Sequence, residues 1–268
     1  MGAPTGHQDD PPSRSNVLRL MSYNIQTGIS TTRYRHYLTK SWKHVLPSSR
    51  RVENLDRIGS LVSEYDIVGL QEVDGGSLRS GYINQVEYLA WRGEFPHWHS
   101  QPNRNLGRLA QHSNGLLSRV PPTDISEHKL PGLIPGRGAL MAQFGKGEES
   151  LVVLIIHLAL SARAREQQMH YISELAQQYR HVVLMGDMNC RAHDINHHTP
   201  SPLERSGLVE PVRELNTYPS WQPQRSIDRV LVSASIKVLR IDALDCTYSD
   251  HLPVAVEVEL PPQVDVGL

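Results

Sequence analysis

From Val17 onward the chain alternates short apolar, β-branched runs with polar breaks, and only two stretches carry a helical period. The runs predict strands near 17 to 24, 66 to 71, 113 to 118, 138 to 144, 150 to 157, 181 to 186, 227 to 233 and 253 to 260. Arg51 to Glu64 puts Val52, Leu55, Ile58, Leu61 and Val62 on one face, and Ala162 to Tyr179 does the same with Met169, Ile172 and Leu175, which predicts two helices. Many strands with few helices favour stacked sheets flanked by helices. Residues 1 to 15, rich in Pro, Asp and Ser, are expected to form a disordered tail, leaving residues 16 to 268 as one domain.

Composition narrows the class. Hydrophobic residues make up 39% and charged residues 21% of the 268 positions, as in a soluble globular enzyme. A net charge of -1 supplies no global field, so affinity for a polyanion has to come from a local patch. The two cysteines, Cys190 and Cys246, form neither a CxxC pair nor a zinc-finger spacing, which suggests a reducing, cytoplasmic location. The first sixteen residues lack a signal-peptide core, and Gly6 stands where a myristoylation signal wants Ser or Thr. The longest apolar run, Leu151 to Ile156, is too short to span a bilayer, so no stable membrane insertion is expected; nothing in the chain points to a particular protein partner.

The chemistry gathers where the apolar runs end. Asn24 closes MSYN, Glu72 follows IVGLQ, His157 closes VVLIIH, Asp187 and Asn189 sit in GDMN, Asp228 opens DRVLV, and Asp250-His251 precede the last strand. Gly186 lets the backbone turn tightly, so Asp187 and Asn189, two apart, share one concavity. Glu72 offers the hard oxygen that Mg²⁺ or Mn²⁺ prefers, and Asn24 a neutral amide oxygen. An imidazole such as His251 needs a fixed tautomer to work as a base or phosphate contact, which a carboxylate beside it provides.

This ordered set resembles the endonuclease/exonuclease/phosphatase superfamily, over roughly Val17 to Leu260. The resemblance implies a four-layer α/β sandwich of two packed, mainly antiparallel sheets flanked by helices, and a Mg²⁺- or Mn²⁺-dependent phosphoesterase. It makes Glu72 the principal metal ligand with Asn24 and Asp250 near the ion, gives Asp187 and Asn189 the attacking water and the phosphate, and makes Asp228 the partner that orients His251. His157 after a long apolar strand resembles the deoxyribonuclease and sphingomyelinase branches and suggests diester chemistry, with His157 contacting the phosphate or helping the leaving oxygen. Asn114 in HSNGLLSR resembles a segment that approaches the scissile phosphate, although His112 and Ser113 replace the usual aromatic-glycine lead-in; Arg165 and Gln168 begin a helix as in many relatives.

Substrate is less legible. The loop Thr27 to Arg50 has no carboxylate and interleaves Arg33, Arg35, Lys40 and Lys43 with Tyr34, Tyr37 and Trp42, a pattern that tracks phosphates while rings stack on bases, or clamps a lipid headgroup. The leading expectation is a phosphodiesterase acting on nucleic acid, with Arg33, Arg35, Tyr37, Trp42, Asn114 and Arg165 as substrate contacts. The rivals are a phospholipid-headgroup or inositol-phosphate hydrolase and, more remotely, a non-catalytic binding module, whose expected loss of Glu72, Asp187 or His251 is not seen. His193, His197 and His198 form a second histidine-rich segment with a weaker case for an accessory metal site.

Overall fold

The computed structural model describes residues 16–29, 49–105, 111–132, 136–191, 201–212 and 214–267. The proposed tail, the loop residues Arg33, Arg35, Tyr37 and Trp42, and His193, His197 and His198 lie outside the described residues.

Two sheets of six strands form the body. The first runs in the order β11 (Lys237–Ala243), β12 (Val254–Glu259), β1 (Val17–Asn24), β2 (Ile67–Asp74), β4 (Gln111–Ser118), β3 (His97–Asn105). The second runs β5 (Asp124–Lys129), β6 (Gly138–Phe144), β7 (Leu151–His157), β8 (His181–Asp187), β10 (Asp228–Ser233), β9 (Leu208–Val209). At the centre of each sheet lies one parallel pair, β1 with β2 and β7 with β8, and the other pairings are antiparallel.

Strand alternation divides the apolar residues among three cores. Leu18 and Leu20 of β1, Val153 and Ile155 of β7, and Val183 and Met185 of β8 pack between the sheets. The residues of opposite parity, Met21 and Tyr23, meet helices α1 (Ser49–Val62) and α2 (Gln85–Arg92) through Leu55, Ile58, Val86 and Leu89. Val152, Leu154 and Ile156 face helix α3 (Ala162–Ala176) through Met169 and Ile172. The expected four layers follow from strands buried on both faces, which read as unbroken apolar runs. A short helix α4 (Pro202–Arg205) is held by a capping box between Ser201 and Glu204.

All eight expected strands are present. Four further strands, β3, β5, β9 and β11, were not anticipated, and they are the four sheet edges. An edge strand has a neighbour on one side only, and sequences such as HWHSQPNRN and DISEHK carry no apolar run to betray it. Helix α2 is also additional, and α3 ends at Ala176, short of the expected Tyr179.

Two glycines permit close approach. A Cβ on Gly186 would fall 2.0 Å from the Ile156 carbonyl oxygen, and one on Gly69 would fall 2.8 Å from Ile155 Cγ1 across the sheets. One buried ion pair locks the outer face beside the site: Arg229 donates through Nε and Nη2 to the two oxygens of Glu210, each at 2.6 Å. Both side chains are nearly fully buried. Glu210→Ala should therefore cost about 3–5 kcal/mol, because it strands a buried guanidinium, while Arg229→Met with Glu210→Leu should recover most of the loss. A urea midpoint for Glu210→Ala equal to wild type at unchanged slope would refute this. Among the described residues no helix is long and apolar enough to cross a membrane, and neither Cys190 nor Cys246 is in a disulfide.

Candidate active site

The site grows from the ends of the inter-sheet rows. His157, Asp187 and Asp228 are direct cross-strand neighbours on β7, β8 and β10. Each has the parity of the core residues on its own strand, so its side chain continues the inter-sheet face where the apolar layer stops. Asn24 does the same at the end of β1, after Leu18 and Leu20. Parallel pairing puts the C-terminal ends of β1 and β2 side by side and those of β7 and β8 likewise, and the contact between Asn24 and Asp187 joins the two sets at one end of the sandwich.

Glu72 reaches the cleft differently. Alternation alone would send it to the helix-covered face, since Ile67 and Gly69 face the other sheet. The register between β2 and β4 shifts between Leu70 and Val73, and Glu72 adopts φ 54°. A bulge of this kind re-aims a side chain, here bringing Glu72 Oε1 to 3.8 Å from His157 Nε2. Asn189 has φ 52°, another left-handed position at the cleft.

The contacts form one network. Asp187 Oδ2 accepts from Asn24 Nδ2 at 3.1 Å, and Asp187 Oδ1 accepts from the Asn189 backbone N–H at 2.9 Å. The Asn189 amide donates to the Leu158 carbonyl at 2.9 Å, which fixes the turn. His157 Nε2 and His251 Nε2 flank Asp187 Oδ2 at 3.5 and 3.9 Å. Behind His251, Nδ1 donates to the Asp228 carboxylate, 2.8 Å from Oδ2 and 3.0 Å from Oδ1. Thr217 Oγ1 donates to Asp228 Oδ2 at 2.5 Å, and the Tyr218 ring lies 4.9 Å from the imidazole.

These contacts set the charges. Burial opposes protonation of His251, but Asp228, then Asp187 and Asp250, outweigh it and raise the pKa to about 10. Burial raises Asp187 to about 7, against the pull of His251. For His157, burial comes first, with Arg137, His251 and His112 adding to it, and the pKa falls well below the usual histidine value. Arg137 Nη1 donates to His157 Nε2, so a lone pair is required there and the ring is neutral with its proton on Nδ1. The Glu72 carboxyl is raised, first by burial and then by Asp250 beside it.

Asp187, Asp228 and His251 offer ligating atoms within 4.8 Å of one another, as a metal site would. Both Asp228 oxygens are already engaged by His251 and Thr217, so this trio serves better as a hydrogen-bonded carboxylate and imidazole pair. Glu72 fits a cation more closely: its carboxylate keeps 30% exposure, and it is pushed toward protonation by another carboxylate. Asn24 Oδ1 accepts one hydrogen bond, from Gln26 N, leaving a second lone pair.

The structure therefore brings together Asn24, Glu72, His157, Asp187, Asn189, Asp228, Asp250 and His251. Two other expected residues have different surroundings. Asn114 is buried and bridges the sheets, donating to Gln101 Oε1 at 3.2 Å and to the Gly138 carbonyl at 3.0 Å. Arg165 donates to the carbonyls of Ala159 and Leu160 and clasps the turn between β7 and α3. Gln168 reinforces that turn by accepting from Ala159 N at 2.8 Å. Sequence reasoning missed Arg137, Thr217 and Tyr218. Arg137 stands between Gly136 and Gly138 at the start of β6, a strand-end position like the others, and that was its available signal.

A cavity of about 750 Å³ opens beside Glu72 and His157, with Arg137, His112 and Leu160 also in its wall. Paired sheets with carboxylates and imidazoles converging beside a cavity at one end are the plan of a two-sheet phosphoester hydrolase. The chain belongs to the endonuclease/exonuclease/phosphatase family, whose sequence profile matches residues 21–251 and whose members hydrolyse phosphate esters. Similar solved structures include an endonuclease/exonuclease/phosphatase from Beutenbergia cavernae, 21% identical, with 92% of this chain and 72% of that one covered at a TM-score of 0.67. A mannosyl-6-phosphatase from Bacteroides thetaiotaomicron is 17% identical over 90% of this chain and 99% of its own, TM-score 0.65. A humanized D. rerio TDP2 is 17% identical over 91% and 99%, TM-score 0.61. Among curated protein sequences none matches.

Proposed function

We propose that the protein is a divalent-metal-dependent phosphodiesterase acting on nucleic acid, in a reducing, cytoplasmic compartment. The observation that carries the diesterase reading is the placement of two imidazoles of opposite charge state around Asp187 Oδ2, at 3.5 Å for His157 and 3.9 Å for His251. Glu72, with Asn24 and Asp250, would hold Mg²⁺ or Mn²⁺, which neutralises phosphoryl charge when bound.

The chain's own groups divide the remaining work. Asp187, ionised above about pH 7, accepts a proton from the attacking water, which Asn189 helps to place. His251, an imidazolium below about pH 10, donates from Nε2 to a phosphoryl oxygen, and Asp228 keeps its ring in place. Arg137, beside neutral His157, puts a fixed positive charge at the other side of the phosphate, where the leaving oxygen gains negative charge as its bond to phosphorus breaks.

Nucleic acid is favoured because Arg137 and Arg163 line the cavity, a local cationic patch on a chain of net charge -1. From the basic, aromatic loop that follows Asn24 in sequence, Arg33, Arg35, Tyr37 and Trp42 are proposed as further substrate contacts on the strength of their sequence pattern. Asn114 and Arg165 support that surface from behind, by tying the sheets and the cleft turn. A compact headgroup diester is the second reading, favoured by the cavity's apolar wall of Ala159, Leu160 and Ala164.

A panel of single-stranded RNA, plasmid DNA, sphingomyelin and inositol phosphates, with and without Mg²⁺, separates them. Metal-dependent cleavage of nucleic acid with at least tenfold higher kcat/KM than either headgroup substrate is expected. Faster turnover of sphingomyelin would replace this reading with the second.

A further inference from the structure

The cavity of about 750 Å³ beside Glu72 and His157 has room for much more than one phosphoryl group, since pockets of ~300–1,000 Å³ hold a whole small molecule. Beyond the catalytic groups its wall comes from both sheets' surroundings. Asn103, near the end of β3, belongs to the first sheet, and Leu160, Ala164 and Gln167 come from the turn and helix α3 that follow β7 in the second.

Asn103 reaches between the sheets because a glycine makes way for it. Gly138 of β6 has the parity of Leu140 and Ala142, so a side chain there would point toward the first sheet. A Cβ at that position would fall 2.1 Å from Asn103 Oδ1. Half-buried in that space beside Arg137, the Asn103 amide makes no hydrogen bond among the described residues, and neither does the exposed amide of Gln167. Each amide carries a donor and an acceptor side by side.

An independent observation is Leu160, which is 75% exposed. A lone surface leucine is ordinary, but this one is held in the cavity wall by a fixed backbone. Arg165 donates to the Ala159 and Leu160 carbonyls, while Gln168 accepts from Ala159 N at 2.8 Å and donates to the Pro131 carbonyl at 2.9 Å. The turn thus presents a rigid apolar surface with Ala164 beside it. Among the described lining residues there is no Phe, Tyr or Trp, and no carboxylate apart from Glu72. A quaternary ammonium headgroup would find no aromatic cage there.

We propose that this cavity receives the nucleobase on the leaving side of the scissile phosphate, its edge read by the Asn103 and Gln167 amides and its face covered by Leu160 and Ala164. An amide's adjacent donor and acceptor match the edge of a base, and apolar side chains suit its ring. The leaving side is assigned because Arg137 and His157 are in the same wall. The proposal rests on the nucleic-acid reading and deepens it: the enzyme requires a base next to the cut and does not merely track phosphates.

Dinucleotides test this on the full-length protein. Homodinucleotides of the four bases are compared with versions in which a tetrahydrofuran residue replaces the nucleoside on one side or the other. Calorimetry in EDTA, where cleavage should stop, reads binding, and kcat/KM with Mg²⁺ reads turnover. For at least one base, its removal from one side should weaken both about tenfold, the scale of a good base-edge contact. That side should be the one whose product emerges without the phosphate. Gln167→Ala and Leu160→Ser should each reduce the base excess severalfold. Asn103→Asp, which removes the amide's donor, should change the order of preference among the bases, a result that a purely structural role would not give. Leu160 and Gln167 are exposed, so their variants report even if a change at Asn103 disturbs packing. Equal losses on both sides, no loss for any base, an excess that survives Gln167→Ala combined with Leu160→Ser, or tighter binding of phosphocholine than of any dinucleotide would overturn the pocket. Base-selective binding by a protein that cleaves no diester would instead sink the functional reading alone, while cleavage with no base excess would sink only the pocket.

Discussion

Asp187→Asn is expected to lower kcat by about a thousandfold, within the range for removal of a positioned general base. The substitution keeps the shape of the side chain and leaves Oδ1 able to accept from Asn189 N, so the fold should persist. What disappears is the ionisable group at the convergence of Asn24, His157 and His251. The pH profile supplies an independent check. Asp187 has its pKa raised to about 7, so its basic form accumulates as pH rises through that value. His251 has its pKa raised to about 10, so the imidazolium is present below that value and lost above it. The wild-type rate should climb toward neutrality and fall in strong alkali, with a bound cation moving the acid limb to lower pH. In Asp187→Asn the acid limb should vanish. Retention of more than a tenth of wild-type kcat, or an unchanged acid limb, would remove Asp187 from the base role.

Chelation should abolish turnover altogether, and Mg²⁺ or Mn²⁺ should restore it, because the oxygen donors Glu72, Asn24 and Asp250 suit hard cations. Glu72→Gln should raise the metal concentration needed for half-maximal rate by roughly a hundredfold or more, since even groups that merely support a ligand cost about 10–100-fold. Stability supplies a second readout. Burial and Asp250 raise the Glu72 pKa, so the ionised carboxylate disfavours the metal-free folded state above that pKa. Metal-free Glu72→Gln should therefore melt no lower than wild type, and added Mg²⁺ should raise the Tm of wild type but hardly that of the variant. Full activity in excess EDTA would defeat the metal reading. An unchanged metal titration in Glu72→Gln would move the ion elsewhere, with Asp187, Asp228 and His251 the next place to look.

The legible and illegible parts of this chain divide along physical lines. The central strands are buried on both faces, so their side chains are apolar and the run announces itself, as LVVLIIH does for β7, while β12 shows the alternation of a strand buried on one face. The edge strands β3, β5, β9 and β11 answer to one neighbour and to solvent, and no local period marked them. The same logic exposed most of the site. A polar residue at the inward position where an apolar row ends has no reason to be there except contact with the cleft, and Asn24, His157, Asp187 and Asp228 all qualify.

Other parts depended on distant segments meeting. Arg137 reaches His157 only because β6 pairs with β7, and Thr217 reaches Asp228 from a loop with no pattern of its own. Asn114 carried the right motif, yet its NH2 group is spent on Gln101, supplied by strand pairing, and on Gly138, supplied by the packing of the two sheets, while its Oδ1 has no hydrogen-bond partner.

By itself the sequence determined the interior strands, the layer order and the residue types gathered at one end, because burial dictates apolar periodicity and a catalytic group interrupts it. The tertiary structure alone decided the direction of Glu72, through a bulge that alternation cannot foresee, and the charge states of Asp187, His157 and His251. Those charges come from neighbours on other strands within a few ångströms, and such proximity is a property of the folded chain rather than of any local stretch of it.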